Sequence, residues 1–430
     1  MHIAKEHLNL RAFLRSDTLQ TFERKLSNDA SFMLIQRRDF LKTGSLATAS
    51  LFMPRFLQAI KAPGSIALNG KSLVIIQLSG GNDGLNTIIP YRNDVYYNER
   101  RSLGIKREAA LSLTDEAGLN PALSGLKNLW DKGHMAVLNS VGYPNPDRSH
   151  FRSMDIWQSA SPAAEYWQTG WLGRYLDAQC PGKPSAALEF DDTLSLVLKG
   201  QGTKGLALQD AKRLYEGSKS PYFAEYSSAR GTLVHDEAPV DYLYKTMSET
   251  LSSAHYLYDQ SRKKPSEALY PATGLGKDLK TIASLILSDT DTSVYYVSLG
   301  SFDTHINQAG QQKRLFTELN DALTAFASDM SGNGKWDDVL VATFSEFGRR
   351  VSQNASGGTD HGTANNMIFL GGSLKEKGLL NAMPDLSDLD GGDLKFQVDF
   401  RQVYATLLEK WLGANAQQVL GARFEPLRFI

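Results

Sequence analysis

The chain has 430 residues, of which 42% are hydrophobic, so it is long enough to bury a large core in one domain or two. Its 46 Lys and Arg nearly balance its 47 Asp and Glu, and no basic stripe interleaved with aromatic residues occurs, which argues against nucleic-acid binding. A single cysteine, Cys180, excludes an intrachain disulfide and a metal cluster built on thiolates.

The N-terminal segment resembles a twin-arginine export signal. Arg37 and Arg38 precede Phe40, and residues 43–53 form a weakly apolar stretch that is too short to cross a bilayer. Residues 1–62 hold 10 Lys and Arg against 5 Asp and Glu. The alternative interpretation is an amphipathic N-terminal helix in which the two arginines are unrelated to export.

The export signal has consequences for location and for cofactors. It predicts passage through the twin-arginine translocase and a periplasmic or extracellular location in a bacterium, with no stable membrane span in the mature chain. Because this transporter carries folded cargo, it also suits a protein that loads a metal before export. We divide the chain into an N-terminal extension and signal at 1–62 and one α/β domain at 70–430. Residues 180–240 have the weakest periodicity, so they form an insertion or cap.

Five apolar, β-branched runs predict strands, and helical patterns lie between them. Continuous apolar strands are typical of parallel sheets buried on both faces, so the alternation predicts a three-layer α/β/α sandwich with a mostly parallel sheet. The runs that predict strands are 72–83, 135–143, 293–305, 338–348 and 366–372. The patterns that predict helices are 120–133, 238–263, 274–289, 305–330 and 399–413.

Polar side chains follow these strands, or precede the last one. Ligands of open α/β sheets bind beyond the carboxyl ends of the strands, where loops converge. The loops carry carboxylate, imidazole and hydroxyl groups that suit Zn, Mn, Mg or Ca. In chain order these residues are Asn82, Asp83, Arg148, Ser149, His150, Asp303, His305, Glu346, Asp360 and His361.

Each of these residues also has an ordinary structural explanation. Asp83 and Ser149 are frequent residue types at helix N-caps, and His305 would fit the first turn of a helix packed against the sheet. Glu346 could pair with Arg349 or Arg350. Because five loops at one predicted edge deliver the same kinds of group, we expect a functional site there.

The order of these motifs resembles the alkaline phosphatase superfamily, which includes sulfatases. It is most similar to a bacterial family of domains of unknown function (number fifteen-oh-one), which is sulfatase-like and commonly exported by the twin-arginine route. The segments that carry the resemblance are "LSGGNDGLNTIIPY", "RSHF", "GWLGRYL", "GSFDTHINQ", "SEFGRR", "GTDHG" and "DFRQVYATLLEKWLG".

The resemblance implies roles for individual residues. Ser149 stands where the superfamily has its nucleophile, and Arg148 would hold the charged oxygens of a phosphate or sulfate, although a surface ion pair explains it equally well. For two ions, Asp303, His305 and His361 would hold one, and Asp83, Glu346 and Ser149 the other. Asn82, His150 and Asp360 would lie behind the ligands, with Asp360 orienting the ring of His361.

The sequence departs from the superfamily pattern at two places. Phe347 stands where sulfatases have a His, and one residue separates Asp303 from His305 where the superfamily has three. The resemblance therefore leaves one divalent ion or two open. The expected activity is hydrolysis of a phosphate or sulfate ester of a small molecule or glycan. The alternative is a non-catalytic exported protein of the same fold that binds a glycan or a co-exported partner.

Overall fold

A computed structural model describes residues 70–209 and 255–430, together with residues 212, 215, 216 and 219. The predicted export signal and the first part of the helix expected at 238–263 lie outside the described residues. The rest of that helix is present, since residues 255–263 are helical.

Sixteen strands occur in the described part of the chain, and nine of them form one large sheet. In chain order the strands are β1 Ser72–Leu78, β2 Ile88–Ile89, β3 Leu111–Ser112, β4 Gly118–Leu119, β5 Met135–Gly142, β6 Ala187–Glu189, β7 Leu206–Ala207, β8 Val294–Leu299, β9 Val339–Phe344, β10 Arg349–Gln353, β11 Thr359–His361, β12 Asn365–Gly371, β13 Gly378–Leu379, β14 Leu389–Asp390, β15 Asp393–Leu394 and β16 Val398–Asp399.

The large sheet has the order β13-β5-β12-β9-β1-β8-β6-β7, and β16 also pairs with β5. Its pairings are parallel except around β12, which runs against both β5 and β9. The central strand β1 reads SLVIIQL and is buried along its whole length, as a strand covered on both faces must be. The five strands predicted from the sequence are confirmed, and they form the middle of this sheet.

The segment expected to be an insertion or cap contributes to the same sheet. β6 and β7 lie within residues 180–240, pair parallel to each other, and extend the sheet beyond β8. They have only three and two residues, so their periodicity is too short to recognise in the sequence. The described part of this segment therefore contributes an edge of the sheet.

Helices cover both faces of the sheet. The α-helices are α1 Asp94–Glu99, α2 Ser124–Asp131, α3 His150–Ser159, α4 Trp171–Gln179, α5 Gly274–Leu287, α6 Gln308–Gly332, α7 Phe400–Thr406 and α8 Ala416–Leu420. Short 3-10 helices span Gly84–Asn86, Pro184–Ala186, Leu196–Leu198 and Trp336–Asp338, and a π-helix spans Leu407–Trp411. Among the described residues, no helix combines the length and hydrophobicity needed to cross a membrane.

The core has one layer on each face of the sheet. Alternate residues of β1 point to opposite faces, so Val74 packs with α5 and α6, whereas Ile75 packs with α3, α4 and α7. Trp157 and Trp171 are almost fully buried in the second layer. This three-layer α/β/α arrangement is the fold class predicted from the sequence.

Three small sheets lie outside the large one. They contain β2, β4 and β3, β10 with β11, and β14 with β15. The β10–β11 hairpin begins shortly after β9 and ends with His361, four residues before β12. It therefore supports the loops at the carboxyl edge of the large sheet.

Candidate metal centre

Loops from several strands meet at the edge where the parallel strands end. β5 leads to His150 at the start of α3, and β8 leads to Asp303 and His305. His361 ends β11, and the chain then enters β12 at the same edge because β12 runs against its neighbours. The direction of β12 explains why a residue that precedes a strand joins residues that follow strands.

The backbone that presents Asp303 and His305 is held in an unusual conformation. Ser301 and Asn307 flank the pair and adopt left-handed conformations, with φ of 77° and 46°. Non-glycine residues rarely adopt such φ values, and they cost free energy unless neighbouring contacts impose them. One such contact is Gly80, where a Cβ would lie 2.4 Å from the backbone nitrogen of Asp303. The loop after β1 thus needs glycine to pack against this segment.

Three imidazoles surround the carboxylate of Asp303. Its Oδ1 lies 3.0 Å from His305 Nε2 and 3.1 Å from His361 Nε2, and these two nitrogens are 3.0 Å apart. His150 Nε2 lies 3.5 Å from the other oxygen, Oδ2. The facing atoms of His150, Asp303 and His361 all lie within 4.8 Å of one another. The four residues His150, Asp303, His305 and His361 are called the histidine–aspartate centre.

The remote ring nitrogen of each imidazole is fixed by an acceptor. His150 Nδ1 lies 2.9 Å from Glu346 Oε1, and His361 Nδ1 lies 2.9 Å from the carbonyl oxygen of Arg148. His305 Nδ1 lies 3.2 Å from Asp360 Oδ1. A carboxylate or a carbonyl accepts only, so in the neutral ring each Nδ1 carries the proton. All three Nε2 lone pairs are then left facing Asp303.

This arrangement fits a divalent cation. Three lone pairs directed at a carboxylate repel one another unless a proton or a cation lies among them. Separations near 3.0 Å are those of ligands at right angles around an ion that binds each at about 2.1 Å. His150 Nε2 is also buried without a hydrogen-bond partner, which an ion would supply. Anchoring of the remote nitrogen is usual for metal-binding histidines.

Neighbouring charges set the protonation of the centre. Burial raises the pKa of Asp303, but the hydrogen bond and positive charge of Arg349, together with the adjacent imidazoles of His361 and His305, outweigh burial and lower this pKa to about 2. Burial lowers the pKa of His361 below its ordinary value. The hydrogen bond to Glu346 raises the pKa of His150. At neutral pH, Asp303 is therefore an anion and His361 is neutral, the states in which both bind cations.

Arg349 supplies a fixed positive charge beside the centre. Its guanidinium is buried and bonds Asp303 Oδ1 at 2.6 Å. It also donates to carbonyl oxygens of Gly80, Gly81, Phe302 and Thr359 at 2.5–3.0 Å. These bonds tie the loops after β1 and β8 to the β10–β11 hairpin. The guanidinium thus links Asp303 to the loop after β1.

Comparison with protein families identifies the family of this chain. The family model described as "Protein of unknown function (DUF1501)" matches residues 134–423, which is more than half of the chain. The chain belongs to this family. The resemblance recognised in the sequence is thereby confirmed, and the matched range includes all four residues of the histidine–aspartate centre. The family is one of unknown function, so membership assigns no activity. No curated protein matches the chain.

Solved structures similar to this DUF1501 chain include sulfatases and related hydrolases. The PsFucS1 sulfatase from Pseudoalteromonas sp. is 11% identical over 90% of this chain and 74% of its own, with a TM-score of 0.38. A protein in the alkaline phosphatase superfamily from Vibrio parahaemolyticus is 11% identical over 90% and 78%, at a TM-score of 0.34. The phosphonate monoester hydrolase SpPMH from Silicibacter pomeroyi is 8% identical over 83% and 78%, at 0.35. TM-scores this low add nothing to what the chain's own side chains show.

Asp83 does not join the centre in the described structure. It is buried and caps the 3-10 helix Gly84–Asn86 through Leu85 N, and its Oδ2 lies 2.5 Å from both Arg100 Nη1 and Gln308 Nε2. Asn82 is buried beside it and donates to Thr87. Hydrogen bonds within the fold therefore already engage the Asp83 carboxylate, and the second set of ligands implied by the resemblance stays a prediction.

Glu346 and His150 have the opposite positions from those that the resemblance implied, in which Glu346 is a ligand and His150 lies behind the ligands. Glu346 is buried, and its Oε1 accepts hydrogen bonds from Gly80 N at 2.7 Å and from His150 at 2.9 Å. It thus stands behind His150, which faces the centre. Asp360 contacts His305, whereas the resemblance implied that it would orient His361. Phe347 packs against the rings of His150 and His361, with centroids 4.9 and 4.7 Å away.

Ser149 and Arg148 lie at the rim of the centre. Ser149 is exposed at the N-cap of α3, and its side chain makes no capping hydrogen bond. Arg148 forms an ion pair with the buried Asp393, which also lies 3.3 Å from Arg350. Arg148 thus makes an ion pair while its guanidinium remains half exposed, so the pair does not exclude the anion-binding role.

The contacts that could not be predicted from the sequence join residues that are well separated along the chain. Gln308 and Arg100 meet Asp83 from positions 225 and 17 residues away, and Arg349 lies 46 residues from Asp303. "RSHF" contains both Ser149 and His150, and the resemblance directs attention to the serine. His150 is a candidate ligand only because its ring faces Asp303 in the structure.

Proposed function

We propose that the protein is an exported metal-dependent hydrolase of phosphate or sulfate esters that binds one divalent ion in the histidine–aspartate centre. The observation that carries the proposal is the convergence of three imidazole Nε2 atoms on Asp303, with every Nδ1 anchored. A divalent ion bound there supplies Lewis acidity to an ester oxygen. Donors of this type suit Zn or Mn better than Ca, which prefers oxygen ligands.

Residues of the chain fit the other requirements of ester hydrolysis. The Ser149 hydroxyl is exposed next to His150, and no helix-capping bond occupies it. It is therefore our candidate nucleophile, with water as the alternative attacking group. The N-terminus of α3 lies at the same place, and unpaired backbone N–H groups there stabilise anionic oxygens.

Positive charge at the rim suits an anionic substrate. Asp393 is fully buried and pairs with both Arg148 and Arg350, so two guanidiniums are held close to each other. Arg148 also connects to the centre through its carbonyl oxygen, which accepts from His361. A guanidinium fixed in this way can bind two oxygens of a phosphate or sulfate group in parallel.

The test combines metal analysis with ester hydrolysis. The mature protein, prepared without chelator, is expected to carry metal and to hydrolyse a phosphate or sulfate monoester. Ser149→Ala should lose hydrolysis while it keeps the metal and the fold, because the change removes the attacking oxygen alone. Full activity in Ser149→Ala would indicate that water, and not Ser149, is the attacking group. A metal-loaded parent that hydrolyses neither type of ester would contradict the proposal.

A second candidate function is binding without catalysis, to a glycan or a co-exported partner. The observation that favours it is Asp83, whose carboxylate is bonded to Arg100 and Gln308 within the fold. A well-folded mature protein that contains no metal would support this candidate.

Export through the twin-arginine translocase to the periplasm or beyond is also a proposal. Replacement of Arg37 and Arg38 by Lys should retain the precursor in the cytoplasm, because the translocase reads guanidinium groups and not positive charge alone. The measurement is fractionation of cells that express each form. Unchanged export of the Lys variant would contradict the assignment of the signal.

A further inference from the structure

A buried side-chain amide connects the two chain segments that carry His305 and His361. Gln308 is the first residue of α6, three residues after His305, and it is fully buried. Its Oε1 accepts a hydrogen bond of 2.6 Å from the hydroxyl of Thr359, which begins β11 two residues before His361. Thr359 is also fully buried. We call the hydrogen bond between these two side chains the amide bridge.

The orientation of the Gln308 amide is fixed at both ends. Its Nε2 donates to the carboxylate of Asp83, which only accepts, so the Oε1 end of the amide faces Thr359. The Asp83 carboxylate is held in turn by the buried guanidinium of Arg100. The amide bridge therefore extends from a buried ion pair, and the Gln308 side chain is not free to rotate.

Backbone hydrogen bonds between the same two segments are weaker connections. Two of the three exceed the ordinary N–H···O range of about 2.7–3.2 Å. They run from Thr359 N to Thr304 O at 3.3 Å, from Asn307 N to Ser356 O at 3.4 Å, and from Gln308 N to Gly357 O at 3.0 Å. The amide bridge has an ordinary length, so it contributes more to fixing the segments than either long backbone bond.

The amide bridge acts on His361 through the geometry of β11. Thr359 and His361 are two residues apart in a strand, so their side chains lie on the same side of it. Fixing the Thr359 side chain at the start of α6 therefore also fixes where His361 lies relative to His305. A shift of β11 along α6 would change the 3.0 Å separation of the two Nε2 atoms.

We propose that Gln308 is a positioning residue of the histidine–aspartate centre, and that the amide bridge holds His361 at the distance from His305 that a divalent ion requires. This inference rests on the proposed function for the presence of the ion. It adds a residue that touches neither the ion nor a substrate. Such residues matter because a metal site functions only when its ligands are held within about 0.5 Å of the binding geometry.

Two substitutions remove the amide bridge and leave every proposed ligand in place. Gln308→Met and Thr359→Val should each weaken Zn²⁺ binding about tenfold, the low end of the effect of removing groups that orient metal ligands. Thr359→Ser keeps a hydroxyl and should bind Zn²⁺ as the parent does. Gln312→Met is the matched control. Gln312 lies four residues further along α6, is buried, and donates to the backbone carbonyl of Asp83.

Two measurements distinguish positioning from a general loss of stability. Competition with a metal-sensitive dye gives the Zn²⁺ affinity, at a temperature at which thermal melts show that all variants are folded. The absorption spectrum of the Co²⁺-substituted protein reports the geometry around the ion. Gln308→Met and Thr359→Val should change this spectrum, whereas Gln312→Met and Thr359→Ser should not. Parent-like affinity and spectra in both bridge variants, or an equal loss in Gln312→Met, would overturn the proposal.

Hydrogen exchange of the metal-free protein tests the amide bridge without an ion. The Thr359 amide, which donates to Thr304, should exchange several-fold faster in Gln308→Met than in Gln312→Met. Equal exchange in these two variants would overturn the bridge even if the parent binds metal. Bridge-dependent metal binding by a protein that hydrolyses no ester would support the positioning role and contradict the hydrolase. A folded parent that binds no metal would contradict both.

Discussion

Asp83 and Asp303 occupy equivalent places in the sheet and have opposite surroundings. Each follows the end of a parallel strand, β1 or β8, at the same edge. Asp83 is 1% exposed, and its carboxylate is matched by a buried guanidinium, an amide and a backbone N–H. The Asp303 side chain is 46% exposed and faces imidazole lone pairs. Position at a strand end therefore does not by itself make a carboxylate a metal ligand. A carboxylate becomes a candidate ligand when the groups around it are also able to bind an ion.

The comparison also separates two uses of charge. Around Asp83, a cation and an anion of the chain neutralise each other inside the fold, and the result is structural. Around Asp303, Arg349 neutralises part of the charge, and three imidazoles direct a ring nitrogen at the carboxylate. The second arrangement leaves an excess of electron pairs that an external cation would stabilise. Substitution of Asp83 should therefore lower stability, whereas substitution of Asp303 should remove metal binding.

Asp83→Ala should cause the largest loss of stability. The change leaves the Arg100 guanidinium buried without its counter-ion, and removal of one partner from a buried ion pair typically costs about 3–5 kcal/mol. Urea unfolding should show this loss equally with and without added metal. A loss below about 1 kcal/mol, or one that metal reverses, would erase the contrast with Asp303.

His305→Ala and His361→Ala should each remove metal and the stability that depends on it. An ion at 100 times its dissociation constant stabilises the folded state by about 2.7 kcal/mol, and this contribution vanishes with the site. The double variant should add little to either single variant, because the two side chains serve one site.

His255→Ala is the control, because His255 is an exposed histidine that lies outside the centre. Melts with and without chelator, beside metal content by mass spectrometry, provide the measurement. Additive losses in the double variant, or loss of metal in the control, would contradict a shared site.

Asp360→Ala should weaken metal binding by about tenfold and leave the metal-free stability nearly unchanged. Asp360 is mostly exposed, and its contact with His305 Nδ1 orients the ring without touching the ion. Asp385→Ala, which removes an exposed carboxylate from a distant stretch of the chain, serves as the control. Competition with a metal-sensitive dye gives the affinities. Unchanged affinity in Asp360→Ala would mean that this carboxylate does not set the tautomer of His305.

The smallest expected effect is a pH dependence carried by Asp303. Its folded-state pKa of about 2 lies below the ordinary value, so the unfolded chain binds the proton more readily. The resulting stability is present above pH 4 and declines as pH falls toward 2. Because the side chain is half exposed, solvent screening limits it to about 1 kcal/mol.

Unfolding of metal-free parent and Asp303→Asn, compared from pH 5 downward, measures this contribution. The stability difference between the two proteins should narrow as the solution becomes more acidic. A difference that stays constant or widens would contradict the assigned pKa direction.

Much of the framework was readable from the sequence. The runs around β1, β5, β8, β9 and β12 are continuous and apolar because both faces of each strand are covered, so they predicted the central sheet. The same pattern placed Asp303, His305 and His361 at one edge, and the structure brings these three together. What the sequence could not give was the direction of β12, since an apolar run reads the same in both directions.

The remaining differences arise from side-chain direction and long-range pairing. His150 and Glu346 are both polar residues after strands, and only the orientation of each side chain decides which faces the centre and which stands behind. Asp83 was expected to bind a metal because it follows the first strand and matches the resemblance. Its bond with Gln308, 225 residues away, could not be read from the sequence. β6 and β7 were missed because strands so short have no detectable period.

Calorimetric titration of the chelator-treated mature protein with Zn or Mn tests the central claim most directly. One saturable site per chain is expected, with release of protons below pH 7 because the imidazoles must be neutral to bind. Loss of this site in Asp303→Asn, and its retention in Asp83→Asn, would support the contrast between the two aspartates. Two ions per chain, or no binding by a folded parent, would contradict the single-ion centre.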